Sequence, residues 1–145
     1  MRTIFLLLAM LAVAPLSFAG GAATDSVYTR AVADPARSAK DRERDARDRP
    51  AEVMALAGFA PGMKIADIFA GGGYYSELIG AVVGSAGSVL LLNNTAYQQF
   101  AREDLKERLK DGRLANVKPI LVESCDLRLG KEGLDGALIV MSYHD

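Results

Sequence analysis

Four short apolar runs, each bounded by turn-forming residues, form the clearest pattern in this chain and predict buried β-strands. The runs cover residues 63–69, 89–92, 117–122 and 134–141. Pro119 cannot donate a ladder hydrogen bond, so we expect the third strand to lie at a sheet edge or to begin irregularly. The other three runs carry no such restriction.

The segments between the runs show helical periodicity instead. Residues 50–57 and 74–83 each predict a helix, and the second should bury its apolar side chains: Leu78, Ile79, Val82 and Val83. Residues 95–112 predict a longer helix, capped by Thr95 with Gln98 three residues on. Strands that alternate with helices at this spacing predict right-handed βαβ units on a parallel sheet, so the fold class is α/β.

The first 19 residues are typical of a secretory signal peptide. A basic start precedes the apolar run 4–14, and Ser17-Phe18-Ala19 is a small-x-small cleavage site. We expect cleavage after Ala19, with Ala23 as the second choice, and a periplasmic or secreted protein that has no membrane span once the signal is removed. The alternative is a buried or membrane-anchoring N-terminal helix.

Residues 20–49 predict an N-terminal arm outside the main domain. Its first part, 20–36, is small and polar and is expected to be a flexible lead-in. Its second part, 37–49, is dense in charges of alternating sign, which favours a solvated helix or a partly ordered segment. The alternative is an arm that folds over a substrate entrance.

Composition narrows the function classes. The chain has 145 residues, enough for one domain, and a formal net charge of −1, which predicts no general affinity for nucleic acids. Cys125 is the only cysteine, so an intramolecular disulfide is impossible, and we expect its thiol to be buried. The scattered acids, one histidine and one cysteine show no metal-ligand spacing, so we expect no metal site.

The strongest chemical signal lies where the first predicted strand ends. Asp67 stands inside the apolar run, four residues before Gly71-Gly72-Gly73, and a helical pattern follows. Glycines let a backbone approach a ligand closely, and a helix N-terminus offers free N–H groups. The acid inside the strand, with no acid at Asn93 after the second strand, counts against a nicotinamide-binding oxidoreductase.

With these features the chain resembles class I S-adenosylmethionine (SAM)-dependent methyltransferases. More narrowly, it is similar to a group of exported, uncharacterised bacterial methyltransferase-like proteins, over roughly residues 50–145. The resemblance rests on three motifs: Pro61-Gly62-Met63, Asp67-Ile68-Phe69-Ala70-Gly71-Gly72-Gly73-Tyr74-Tyr75 and Tyr143-His144-Asp145. It implies a Rossmann-like methyltransferase sheet with SAM at the carboxyl ends of the strands.

The resemblance also implies roles for single residues. The glycines Gly71, Gly72 and Gly73 would lie against the cofactor, and Asp67 would fix the loop and hold the ammonium group; its alternative is to cap the glycine turn. Asn93 stands where the family places an acid for the ribose hydroxyls, or it serves the turn before the next helix.

Two further positions match the family by place in the chain. Glu123 corresponds to the acid beside the adenine amino group, with Asp126 as its competitor, and either would otherwise be a solvated loop acid. His144, the only histidine, and Tyr143 are the catalytic candidates, because they follow the fourth strand where the acceptor should meet the methyl group. A structural or exposed role is the alternative for both.

The fold that this chain resembles has seven strands, and the sequence contains four. We therefore expect a truncated form, the N-terminal half of the fold, that is marginally stable, prone to aggregation or stabilised by self-association through an exposed fourth strand. The resemblance implies a SAM-dependent methyltransferase that acts on an unknown acceptor, and it leaves open whether this fragment is active or inactive. The alternative is an exported binding module that keeps the fold without the chemistry.

Overall fold

The structure is a computed structural model, and it describes residues 26–123, 125–127, 129 and 133–142. The helices are α1 (Val27–Ala33), α2 (Ala39–Asp48), α3 (Pro50–Ala57), α4 (Tyr74–Val83), α5 (Thr95–Phe100) and α6 (Arg102–Arg108), followed by a 3-10 turn, Lys110–Gly112. The strands are β1 (Lys64–Ile68), β2 (Ser88–Asn93), β3 (Val117–Leu121) and β4 (Gly136–Ile139). The predicted helices 50–57 and 74–83 are confirmed at both ends.

The four strands form one parallel sheet in the order β3-β2-β1-β4. This confirms the α/β class and the Rossmann-like sheet expected from the sequence. β3 lies at one edge, as Pro119 predicts, because a residue without an N–H group is tolerated there. β4 pairs with β1 and forms the other edge of the described sheet. The carboxyl ends of all four strands therefore meet on one side of the molecule.

The main core lies between the sheet and the helices on one of its faces. α4 buries every apolar side chain that its periodicity predicts, and Ile65 and Leu91 on the central strands are fully buried against it. A helix with most of its surface covered in this way is held in a fixed position. Its N-terminus consequently has a defined place beside the end of β1.

The prediction that residues 20–36 form a flexible lead-in is wrong for the part of this range that the structure describes. Residues Val27–Ala33 form α1, which begins at an N-cap where Ser26 Oγ accepts from the Thr29 N–H. Tyr28 donates to the Phe59 carbonyl at 2.8 Å, and Ala31 is buried. The small residues that suggested flexibility instead allow close packing of α1 against the core.

The predicted helix 95–112 is interrupted. It divides at Ala101 into α5 and α6, and the N-cap is Asn94, whose side chain accepts from the Tyr97 N–H, so the predicted Thr95 cap is wrong. Ala101 and Leu105 are buried, while Phe100 is 92% exposed. The side chain of Asn94 reaches the N–H that the Thr95 hydroxyl was expected to cap.

Two more expectations have a structural outcome. The lone thiol of Cys125 is exposed, so the prediction that it is buried is wrong. Its place in the irregular connection after β3 explains the exposure, because such connections run over the surface. Within the described residues, none of the helices is both long and apolar enough to span a membrane.

Candidate functional site

A cavity of about 780 Å³ opens at the carboxyl ends of the strands. Four parts of the chain line it: the end of β1 with the glycine loop, the N-terminal arm, the α5–α6 segment with the turn that follows it, and the two residues after β4. Representative lining residues are Asp67, Gly72, Lys40, Arg44, Phe100 and Asp104. The volume is in the range that encloses a nucleoside-sized or drug-sized ligand. Part of the charged segment 37–49 thus lines this cavity, and its folding over a substrate entrance stays a prediction.

Two buried acids, Asp67 and Asp41, are among the described residues that line this cavity, and Asp41 is paired with Arg108. Asp67 is 3% exposed, and Ser76 Oγ, in the first turn of α4, donates to its Oδ2 at 2.6 Å. Burial raises the pKa of Asp67 to about 7, and the hydrogen bonds from Ser76 only partly oppose this shift. No arginine or lysine within the described ranges forms an ion pair with this carboxyl group.

The glycine loop shows what each glycine provides. Gly71 and Gly73 have φ angles of +58° and +77°, a region that side chains disfavour. A Cβ placed on Gly71 would meet open space, whereas one on Gly72 would come within 2.9 Å of Asp104 Cβ. The space next to Gly71 is therefore open, while Gly72 permits the close approach of α6.

The loop carries a further unusual backbone angle at Phe69. This aromatic residue has a φ of +53°, which is rare for a bulky side chain and marks a conformation held by its surroundings. Its ring lies 5.4 Å from the ring of Tyr97 on α5. Phe69 lines the cavity, so the aromatic pair holds one wall of it.

Asn93 is fully buried, and its carboxamide is engaged by the glycine loop. Its Oδ1 accepts from the Gly71 N–H, and its Nδ2 donates to the Gly71 carbonyl, both at 2.9 Å. This two-point contact fixes the open glycine relative to the end of β2. Its role toward a ribose stays a prediction, and the structure adds a second role for Asn93 in shaping the loop.

Of the predicted cofactor residues described so far, Asp67 and Gly72 line the cavity, whereas Gly71, Gly73 and Asn93 are not among its lining residues. The other predicted residues lie apart from the cavity or outside the described part. Glu123 is exposed, forms an isolated backbone bridge with Asp126, and has Oε1 3.4 Å from Thr95 Oγ1. Neither acid is among the described residues that line the cavity. The adenine role of Glu123 or Asp126 therefore stays a prediction. Tyr143 and His144 lie outside the described residues, so their catalytic roles also stay predictions.

A buried ionic cluster that the sequence did not predict adjoins the loop. Arg108 of α6 donates through Nε to the Gly72 carbonyl at 2.5 Å and through its terminal nitrogen to Asp41 at 2.7 Å and to Glu77. Arg113 donates to the other oxygen of Glu77 at 2.6 Å. Two arginines thus face two carboxylates, and the guanidinium group lowers the pKa of Asp41 despite its burial.

A second buried cluster joins the arm to the start of α4. Arg37 binds both oxygens of Asp45, at 2.7 and 2.9 Å, and Tyr74 Oη donates to Asp45 at 2.6 Å. The guanidinium group of Arg44 lies 3.9 Å from the centre of the Tyr74 ring, a cation–π distance. Burial and the neighbouring carboxylate raise the pKa of Tyr74, so its hydroxyl stays protonated.

One sequence signal could have indicated these clusters. Asp41 and Asp45 are four residues apart, which places both on the same face of a helix. Asp45 has its arginine partner, Arg37, in the same segment, whereas Asp41 is paired with Arg108, which only the fold brings to that face. Among the residues described, no group of three or more His, Cys, Asp or Glu side chains could hold a metal ion.

Comparison with known proteins supports the fold. No family model matches the sequence, and no curated protein matches it. A solved structure of a SAM-dependent methyltransferase from Aquifex aeolicus superposes with a TM-score of 0.55 at 22% identity, covering 69% of this chain and 54% of that protein. The chain therefore has the fold of this methyltransferase and aligns with about half of its length.

Two further solved structures overlap the chain less closely. One is a protein-L-isoaspartate O-methyltransferase, with a TM-score of 0.46 and 25% identity, covering 61% of this chain and 27% of that one. The other is the fibrillarin of Aeropyrum pernix, solved with bound S-adenosyl-L-methionine, with a TM-score of 0.44 and 18% identity, covering 63% of this chain and 41% of that one.

Proposed function

We propose that this chain binds SAM at the carboxyl end of β1 and belongs to a SAM-dependent methyltransferase. One observation carries the proposal: Asp67, a buried carboxyl group without a cationic partner among the described residues, lines the cavity beside the glycine loop. Burying a carboxylate without a counter-charge is costly. A ligand ammonium group would supply that charge, and SAM carries one on its methionine part.

The residues present fit such a ligand in two further respects. Gly71 leaves open space where any other residue would place a side chain, and the two hydrogen bonds from Asn93 hold it in that position. The N-terminus of α4 favours an anion, and the backbone N–H of Ser76 in its first turn already donates to Asp67. Asp67 would hold the ammonium group, and Gly71 would allow the backbone to approach the rest of the ligand.

When bound, SAM supplies a sulfonium-activated methyl group, and the protein's contribution is to orient it and exclude water. The described residues contribute mainly to that orientation. Ser76 holds the Asp67 carboxyl group, and Arg108 and Asn93 hold the loop on either side of Gly71. The methyl acceptor is unspecified, and Tyr143 and His144 remain our candidates for contacting it.

Titration calorimetry with two ligands tests the proposal. SAM carries the ammonium group, whereas 5′-methylthioadenosine lacks the whole amino-acid part. Asp67→Asn should weaken SAM binding by roughly 10–100-fold, the loss of one charge-assisted contact, and change methylthioadenosine binding little. Asp135→Asn is a matched control, because Asp135 accepts from the Lys64 N–H at the opposite end of β1.

Proton release gives an independent readout. The raised pKa of Asp67, about 7, means that much of this group is protonated at pH 6. Binding an ammonium group requires the ionised form, so SAM binding at pH 6 should release close to one proton, seen as a binding enthalpy that depends on the buffer. A folded wild-type chain that gives no response to millimolar SAM would refute the proposal and favour the non-enzymatic binding module.

We also propose that residues 1–19 are a cleaved signal peptide, that 20–49 act as an arm, and that 50–145 form the partial methyltransferase domain. The support is the N-terminal apolar run with its small-x-small site. Export would place the protein in the periplasm or outside the cell. N-terminal sequencing of protein recovered from that compartment should begin at Gly20, and an intact Met1 would contradict the proposal. Self-association through β4 is a separate expectation, to be measured by the mass of the protein in solution.

A further inference from the structure

We propose that Arg108 is a positioning residue, which fixes the cofactor loop and makes its conformation depend on the N-terminal arm. Its effect on SAM affinity rests on the function proposed above, whereas its effect on the loop does not. No motif in the sequence marks this residue. The inference comes from three contacts that converge on a single guanidinium group.

The first step is the contact with the loop itself. Arg108 Nε donates to the Gly72 carbonyl at 2.5 Å, and its side chain is 10% exposed. A Cβ added to Gly73 would come within 3.2 Å of Arg108 Cδ. The arginine therefore lies against the loop backbone, and a hydrogen bond to a charged donor in a buried place is among the stronger ones. Asn93 holds the other side of the loop through Gly71.

The second step is the contact with the arm. Asp41 is the buried residue of α2, and its carboxylate binds Arg108 at 2.7 Å. α2 thus contributes a buried charge, where most surface helices contribute an apolar stripe. Moving the arm away would leave Asp41 solvated and Arg108 short of one counter-charge. The arm and the loop are therefore coupled through one side chain.

The third step is the geometry that only an arginine provides. Nε of Arg108 binds the loop, while its terminal nitrogen binds Asp41 and Glu77. A lysine could satisfy the carboxylates with its ammonium group, but it has no second donor fixed at the position of Nε. Arg108→Lys therefore removes the hydrogen bond to the loop while keeping a positive charge beside Asp41 and Glu77.

Arg37 offers a matched control for this substitution. It is also a buried arginine at the arm interface, and it binds Asp45 through two hydrogen bonds. Within the described ranges its hydrogen bonds go to Asp45 and to the Val32 carbonyl, and none goes to the glycine loop. Arg37→Lys should therefore weaken one attachment of the arm while the Arg108–Asp41 pair, which couples the arm to the loop, stays in place.

The experiment measures hydrogen exchange of the amides of Gly71 and Gly73, relative to the Leu91 amide in β2, in the full chain. The Gly73 N–H donates to the Ala70 carbonyl at 3.0 Å, and the Gly71 N–H donates to Asn93. Arg108→Lys should speed exchange of both amides by roughly tenfold or more against Leu91, which corresponds to loss of one charged hydrogen bond. Arg37→Lys should change the ratio by less than about threefold.

The arm dependence has its own variant pair. Asp41→Asn should raise loop exchange in the same direction as Arg108→Lys, and Asp45→Asn should not. If wild-type protein binds SAM, Arg108→Lys and Asp41→Asn should weaken binding at unchanged Leu91 protection. Equal loop exchange in the Arg108→Lys and Arg37→Lys proteins would overturn the inference. Failure of the wild type to bind SAM would refute the proposed function, and the exchange ratio alone would then decide the role of Arg108.

Discussion

Buried carboxyl groups occur in two regions of this molecule with opposite electrostatic surroundings. At the arm interface, Asp41 and Asp45 each face an arginine, which lowers their pKa values. At the end of β1, Asp67 has no such partner among the described residues, and burial raises its pKa to about 7. The same side chain is therefore stabilised as an ion in one region and as a neutral acid in the other.

This difference distinguishes carboxyl groups that stabilise the fold from one that is a candidate for binding a ligand. A carboxylate paired with an arginine is satisfied and serves to attach one element to another. A buried carboxyl group without a cation destabilises its ionised form and is a good candidate for binding a cationic ligand. The arm interface is a structural joint by this criterion, and Asp67 is the group to test for ligand binding.

The largest expected effect concerns the pH dependence of stability at Asp67. Between about pH 4 and 7 the folded state keeps a proton that the unfolded chain has released, so this group's contribution to stability falls as pH rises. A shift of about three units corresponds to roughly 4 kcal/mol. In denaturant unfolding of wild type and Asp67→Asn at pH 4, 5.5 and 7, the wild type should lose stability relative to the variant as the pH rises. Parallel pH profiles would contradict the assignment.

Removing the shared acceptor of the Arg108 cluster should have the next largest effect. Glu77 accepts from both Arg108 and Arg113 and is 4% exposed. Glu77→Leu leaves those arginines short of a counter-charge, and we expect a loss of about 3 kcal/mol in the free energy of unfolding. Glu52, in an exposed ion pair with Arg49, provides the control, and Glu52→Leu should change it by less than about 1 kcal/mol.

A smaller effect, of opposite sign to that of Asp67, should occur at the arm. The pKa of Asp45 is lowered by Arg37 and Tyr74 against the effect of burial, so its stabilisation is present above pH 4 and is lost as pH falls through the lowered value. Asp45→Asn should cost about 2 kcal/mol at pH 6 and much less at pH 2.5. A cost that stays constant with pH would show that the ionised form of Asp45 is not what stabilises the arm.

Local sequence pattern determined most of the sheet and two of the helices, α3 and α4. Helix α4 was predicted with its bounds and its four buried apolar residues, because propensity, apolar spacing and the flanking glycines Gly73 and Gly84 agree there. Pro119 predicted the edge position of β3, because a proline has no N–H group to donate to a neighbouring strand. The glycine loop and Asp67 could also be recognised from the sequence, because these residues are close together in the chain and form a local motif.

Charged segments were harder to predict, because a charge run has no preferred face until a partner is known. The segment 37–49 was expected to be solvated or partly ordered, yet Arg37 and Asp41 are each 3% exposed. Two partners of this segment lie far beyond it along the chain. Arg108 is 67 residues from Asp41, and Tyr74 is 29 residues from Asp45. Such pairs follow from topology, not from local spacing.

The sequence by itself thus determined the class of fold, the order of its central elements and the place of the glycine loop, because these depend on short-range periodicity and backbone freedom. Only the tertiary structure decided which carboxyl groups are paired, which glycine faces open space and what holds the loop. Those properties depend on burial and on distances between remote residues, and both are set when the chain packs.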